Sequence, residues 1–174
     1  TLLEYLEMDV PVAHTDHWRP FISRGNWTHD KIRVAHWRCA LSGFQALYPD
    51  YNQGEVQYDQ VNLGAGYINN TTQFFDTMVR SDLREIGPHD ELITRGDGVI
   101  AAANPGREYI LYDEDGGQVG LDFSNARGEF SAQWYNPRTG ESRGIEPVHG
   151  GAVTHFESPS TGADWVLLLQ IQAE

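Results

Sequence analysis

Apolar positions recur with a helical period in the first half of this chain and with a period of two in the second. The clearest stretch is near the end. Phe130, Ala132 and Trp134 alternate with Ser131, Gln133 and Tyr135, as on a strand. Asn136-Pro137 stops that strand, because proline cannot donate to a ladder, and Thr139-Gly140 completes a turn. Farther on, Trp165, Leu167, Leu169 and Ile171 fall on one strand face, with Val166 and Leu168 on the other. A strand apolar on both faces is predicted to be central and covered on both sides. From Glu91 onward, strands are predicted near 91–94, 98–103, 108–113, 118–123, 129–135, 151–156 and 164–171. Turns fall at Arg95-Gly96-Asp97-Gly98, Asn104-Pro105-Gly106, Asp115-Gly116-Gly117 and Arg138-Thr139-Gly140. Short strands at regular spacing with such turns predict an all-β sandwich.

The first half reads differently. Residues 1–9 suit the end of a helix, and Val10 to Ala13 a short buried strand that runs into the polar cluster His14-Thr15-Asp16-His17-Trp18-Arg19-Pro20. A helix is predicted from Asp30 to Phe44. One stripe holds Ile32, Ala35, Cys39 and Gly43, and an adjoining one Val34, Trp37 and Leu41. Thr28 is placed to cap it. Residues 44–49 read as a second short strand, followed by a loop through Gly66. A second helix is predicted from Asn70 to Ile86, ended by Gly87-Pro88. The fold class expected is therefore an α/β segment, residues 1–88, followed by a β-sandwich domain, residues 89–174. No Gly/Ser linker separates the two, so the sandwich is expected to pack on the 70–86 helix through Phe75, Met78, Val79, Leu83 and Ile86.

Charge narrows the partners. The net charge is -13, with Lys31 the single lysine. Nucleic acid and anionic membrane both need a basic face, so neither is expected as the main partner. No apolar run is long enough to span a membrane, and no signal peptide is visible. Cys39 is the one cysteine, which rules out an internal disulfide and suggests a buried, inert thiol. The sequons at Asn26, Asn69 and Asn70 agree with an extracellular or periplasmic location.

The segments WYNPRTGE, FESP and DWVLLL resemble the end of the small all-β domain described as "putative collagen-binding domain of a collagenase". That domain closes glycoside-hydrolase-like proteins of the apiosidase-like family. IRVAHWRCALSGFQALY resembles the helix before the last strand of that family's catalytic barrel, and VPVAHTDHW the preceding strand. The resemblance implies the C-terminal portion of a secreted glycoside hydrolase-like protein that acts on or binds plant or extracellular polysaccharide. A (β/α)₈ barrel takes about 200–250 residues. The first 88 residues suffice for its last two units, so the missing barrel portion is expected in the same or another chain. The chain opens on Thr1 rather than Met, which fits a mature form, a fragment or part of a longer protein. The alternative is a non-catalytic carbohydrate-binding or structural module with a degenerate active site.

The resemblance implies a catalytic role for Asp16. In such barrels a carboxylate at the end of the penultimate strand acts as nucleophile or base, opposite an acid from an earlier strand. Family members more often carry Glu there, and Asp is one methylene shorter, about 1.5 Å of reach. An Asx-turn is the competing role for Asp16. His14, His17, Trp18, Arg19, Tyr48 and Tyr51 are the candidate substrate-binding residues, and ordinary loop packing is their competing role. Tyr58 follows in the same segment. His14 and Asp16 share a strand face while His17 points away, and two ligands are too few for a closed zinc site. Asp113-Glu114-Asp115-Gly116-Gly117 lacks the alternation of a calcium loop and reads as a hairpin turn with exposed charge. Trp134 and Trp165 are placed among core residues. Tyr135, on the opposite face, is left open between core and surface. No metal or cofactor is expected.

Overall fold

In the computed structural model, which describes residues 13–14, 29–43, 45–46 and 58–172, two antiparallel sheets pack face to face and two helices cover the outer face of the larger one. The early elements are β1 (Ala13–His14), α1 (His29–Leu41), β2 (Gln45–Ala46) and α2 (Tyr58–Thr77). Then come β3 (Gly87–Pro88), β4 (Ile93–Arg95), β5 (Ile100–Asn104), β6 (Glu108–Asp113) and β7 (Gln118–Asp122). The chain finishes with β8 (Glu129–Tyr135), β9 (Ser142–His149), β10 (Val153–Glu157) and β11 (Trp165–Ile171).

The larger sheet has the order β3-β5-β6-β11-β8-β9, and the smaller one β10-β7-β4. β11 is central, paired to β6 and to β8. Its two apolar faces go into two cores, as the alternation predicts. Leu167 and Leu169 join Tyr109, Leu111, Phe130, Ala132 and Trp134 against Val119, Leu121 and Phe156 of the smaller sheet. Val166 and Leu168 join Ile110, Tyr112 and Tyr135 against Trp37 and Leu41 of α1 and Phe74 of α2. Rings lock this second core. Trp37 stacks on Tyr112 with centroids 5.8 Å apart and meets Phe74 edge-on at 5.1 Å.

α1 turns its Val34, Trp37 and Leu41 stripe to the sheet. Gly43 is exposed, and Ala35 and Cys39 are half-buried. The thiol is less enclosed than its apolar neighbours suggest, although burial still raises its pKa. β1 and β2 pair in parallel, in the register Ala13 to Gln45 and His14 to Ala46, with α1 between them in the chain. The predicted helix over residues 1–9 and the cap Thr28 lie outside the described residues.

Three expectations need correction. The second helix spans Tyr58–Thr77, not Asn70–Ile86. Gly64 and Gly66 are accommodated inside it, so glycine alone did not mark a loop. It stops early because tertiary partners take its end. The Phe74 carbonyl accepts from both Met78 and Val79, Gln170 donates to the Met78 carbonyl, and Glu108 accepts from the N–H groups of Arg80 and Ser81. Leu83 falls outside the helix and is 55% exposed, so it does not dock the sandwich; Phe74, fully buried, does. Second, residues 142–149, for which no strand is predicted, form the edge strand β9. Most of its side chains are exposed, and Pro147 sits at a register shift opposite Phe130 and Ala132, where an edge tolerates it. Third, the turn after β6 is no hairpin, because β6 and β7 belong to different sheets. Asp113 there is buried, and its Oδ1 accepts from the N–H groups of Asp115 and Gly116. Gly116 has a φ of 67° and lies against the Ser160 carbonyl, which a Cβ would strike.

Candidate functional site

The parallel pair β1–β2 sets the frame of the predicted site. His14 is the last residue of β1 and Ala46 the last of β2, and the two are partners in register. The carboxyl ends of both strands therefore lie side by side. In sequence, Asp16 follows His14 by two residues and Tyr48 follows Ala46 by two. Asp16, His17, Trp18, Arg19, Tyr48 and Tyr51 lie outside the described residues, as does the side chain of His14. Tyr58 begins α2.

Below that frame, α1 is tied to the sandwich by a buried polar cluster that the sequence reading missed. Arg33 donates through Nε and Nη2 to the two carboxylate oxygens of Asp164, at 2.8 and 2.9 Å. Tyr112 donates its hydroxyl to Asp164 Oδ2 at 2.9 Å, and Arg33 Nη1 reaches Asp30 at 2.5 Å. The guanidinium also lies over the Tyr67 ring, 4.5 Å from its centroid. Burial and the neighbouring carboxylate push the Tyr112 hydroxyl far above its ordinary range. Arg33 is held charged by Asp164 and Asp30 against the opposing effect of burial. Arg33, Asp164 and Tyr112 are buried and bonded to one another, so the cluster braces α1; Asp30 stands at its solvent edge. Two signals mark it in the sequence: an arginine inside an apolar helical stripe, and an aspartate immediately before a doubly apolar strand.

The neighbouring candidates resolve as packing. Trp134 and Tyr135 are both buried, and the Tyr135 hydroxyl donates to the Asn70 carbonyl at 2.8 Å. Trp165 is half-buried, capped by Arg138 at 5.1 Å, with its indole N–H donated to Ser160. It is therefore less enclosed than its alternation predicts. His36 has its pKa lowered by burial. Among the described residues no three His, Cys, Asp or Glu side chains are grouped to hold a metal ion. No helix among them is long and apolar enough to cross a membrane.

Residues 89–170 match the family described as "Putative collagen-binding domain of a collagenase". A comparison with curated protein sequences gives no match. Among solved structures, a glycoside hydrolase superposes with a TM-score of 0.69 at 21% identity, over 85% of this chain and 38% of its own. A family 5 glycoside hydrolase from Bacteroides vulgatus gives 0.69 at 19% identity, over 85% of this chain and 37% of its own. The chain thus shares its fold with parts of two glycoside hydrolases and spans less than two fifths of the length of either.

Proposed function

We propose that this chain is the C-terminal portion of a secreted glycoside hydrolase-like protein, with β1, α1 and β2 contributing the last units of a (β/α)₈ barrel and the sandwich closing it. The observation that carries this reading is the fold shared with two glycoside hydrolases over 85% of the chain. The parallel β1–β2 pair agrees with it, because barrel enzymes place their sites at the carboxyl ends of parallel strands. The partner that completes the barrel docks on the open edges of this pair. Asp16 supplies one of the two carboxylates of a glycosidase, and His14, His17, Trp18, Arg19, Tyr48 and Tyr51 surround the sugar. The substrate is a plant or extracellular polysaccharide, and the apiosidase-like family is the specific assignment.

Intact-mass measurement of the native protein, followed by a hydrolysis assay on a polysaccharide panel, tests this reading. The expected result is a mass well above that of these 174 residues, with hydrolysis that Asp16→Asn abolishes. A native mass equal to these residues alone would refute the fragment. Undiminished hydrolysis by Asp16→Asn would remove Asp16 from the site. A second reading rests on Asp standing where the family more often has Glu: a module that binds glycan without cleaving it. Binding on a glycan array with no turnover of any glycoside favours that reading.

A further inference from the structure

We propose that the cleft where the end of α2 meets β6 and β11 is a binding subsite for a neutral saccharide, gripped through its hydroxyl groups. The floor of the cleft is Glu108 with Gln170, both buried. The Glu108 carboxylate and both N–H groups of Gln170 are committed, while Gln170 Oε1 accepts from no described residue. Glu108 accepts from Gln170 Nε2 and from the N–H groups of Arg80 and Ser81, and Gln170 also donates to the Met78 carbonyl. Such a floor is rigid, and the group it leaves for a ligand is the Gln170 amide oxygen.

The walls are different. Arg80 and Arg107 both line the cleft, and neither guanidinium has a hydrogen bond or ion pair among the described residues. Arg33, Arg38, Arg84, Arg127 and Arg138 make such bonds, while Arg95 and Arg143, outside the cleft lining, make none among the described residues. Glu85 accepts from Asn104 through Oε2 at 3.0 Å, which leaves Oε1 without a partner among the described residues. Asp82, also in the lining, is taken by Arg84. The walls therefore present two planar donor groups and one carboxylate oxygen with capacity to spare.

Charge decides between an anion and a neutral ligand. Two guanidiniums face three carboxylates in the lining, and the whole chain carries -13. No net positive field exists to draw an anion in. A sugar hydroxyl accepts and donates at once. One of a vicinal pair can accept from a guanidinium while its neighbour donates to Glu85. Ile171 adds an apolar edge for the C–H face of a ring. This subsite uses none of residues 14–19, 48 or 51, so its fate is independent of the strand-end reading.

Amide NMR titration of the intact chain tests the proposal. The probes are cellotetraose and xylotetraose as neutral saccharides, and tetragalacturonate as the anionic one. The expected result is a set of saturable shifts at residues 80–85, 107–108 and 170–171 with a neutral probe, at a Kd on the order of 1 mM. Arg80→Ala/Arg107→Ala weakens binding at least about tenfold, the scale of losing charged hydrogen bonds. Arg95→Ala/Arg143→Ala, which removes two other surface arginines, leaves it unchanged. Glu85→Ala weakens the neutral probe; for an anion it would strengthen binding instead. No shifts at about ten times that Kd, shifts indifferent to Arg80 and Arg107, or shifts with tetragalacturonate alone would each overturn the proposal.

Discussion

Arg33 and Asp164 lie 131 residues apart in sequence and meet as a bidentate ion pair inside the protein. Both are almost fully buried, at 4% and 2% exposure. The pair joins the helix between β1 and β2 to the residue immediately before the central strand of the sandwich. Losing one partner strands a charge, whereas losing both removes the need for either. Arg33→Met is expected to cost about 3–5 kcal/mol, eased somewhat by Arg138, which stands 3.8 Å from Asp164. Arg33→Met/Asp164→Leu should cost less than the worse single change. Urea unfolding of the full cycle reads this directly, and additive costs would show that the pair is not coupled.

The second core makes a contrast between two apolar residues. Phe74 is fully buried against Trp37 and Tyr135, while Leu83 lies largely in solvent. Phe74→Ala should destabilise by about 3–5 kcal/mol and speed proteolysis between α2 and the sheet. Leu83→Asp should stay within about 0.5 kcal/mol. Equal effects of the two would mean that Phe74 does not anchor α2.

Glu108 holds the end of α2. Its Oε2 accepts from Ser81 N–H at 2.7 Å and its Oε1 from Arg80 N–H at 3.0 Å. In Glu108→Gln, an amide NH₂ must face one of these donors. The expected cost is about 1–3 kcal/mol, the desolvation penalty of an unmet polar group. Hydrogen exchange should quicken first at the amides of Arg80 and Ser81. Unchanged protection there would show that the helix end is held by something else.

Asp113 gives a pH dependence. Burial raises its pKa above the ordinary 3.8, outweighing the two backbone N–H groups that its carboxylate accepts. An acid with a raised folded pKa binds its proton more tightly when folded. Its ionisation therefore lowers stability as pH climbs from the unfolded pKa through the folded one, and the loss persists at neutral pH. Asp113→Asn keeps an acceptor oxygen for the two N–H groups. It should raise the melting temperature at pH 7 and lose that advantage below about pH 3.8, the ordinary aspartate value. A variant less stable at pH 7 would show that the charge is favourable where it lies.

The sequence by itself determined that β11 is central, because Val166–Leu169 is apolar on both faces and stable only when both are covered; β6 and β8, which flank it, have the predicted bounds. The hairpin turns Asn104-Pro105-Gly106 and Arg138-Thr139-Gly140 were equally local, set by Gly106 at φ 80° and Gly140 at φ 78°. The expected place of the site after β1 and β2 also came from sequence, through strand order and a resemblance, and its residues lie outside those described. Only the tertiary structure decided where α2 stops, because Glu108 and Gln170 come from strands far along the chain. It alone paired Arg33 with Asp164, sent β6 and β7 to different sheets, and made a strand of residues 142–149. Local periodicity records which face of an element must be buried. It does not record which distant polar group will meet a helix end or a buried charge, since that contact exists only once the sheets have formed.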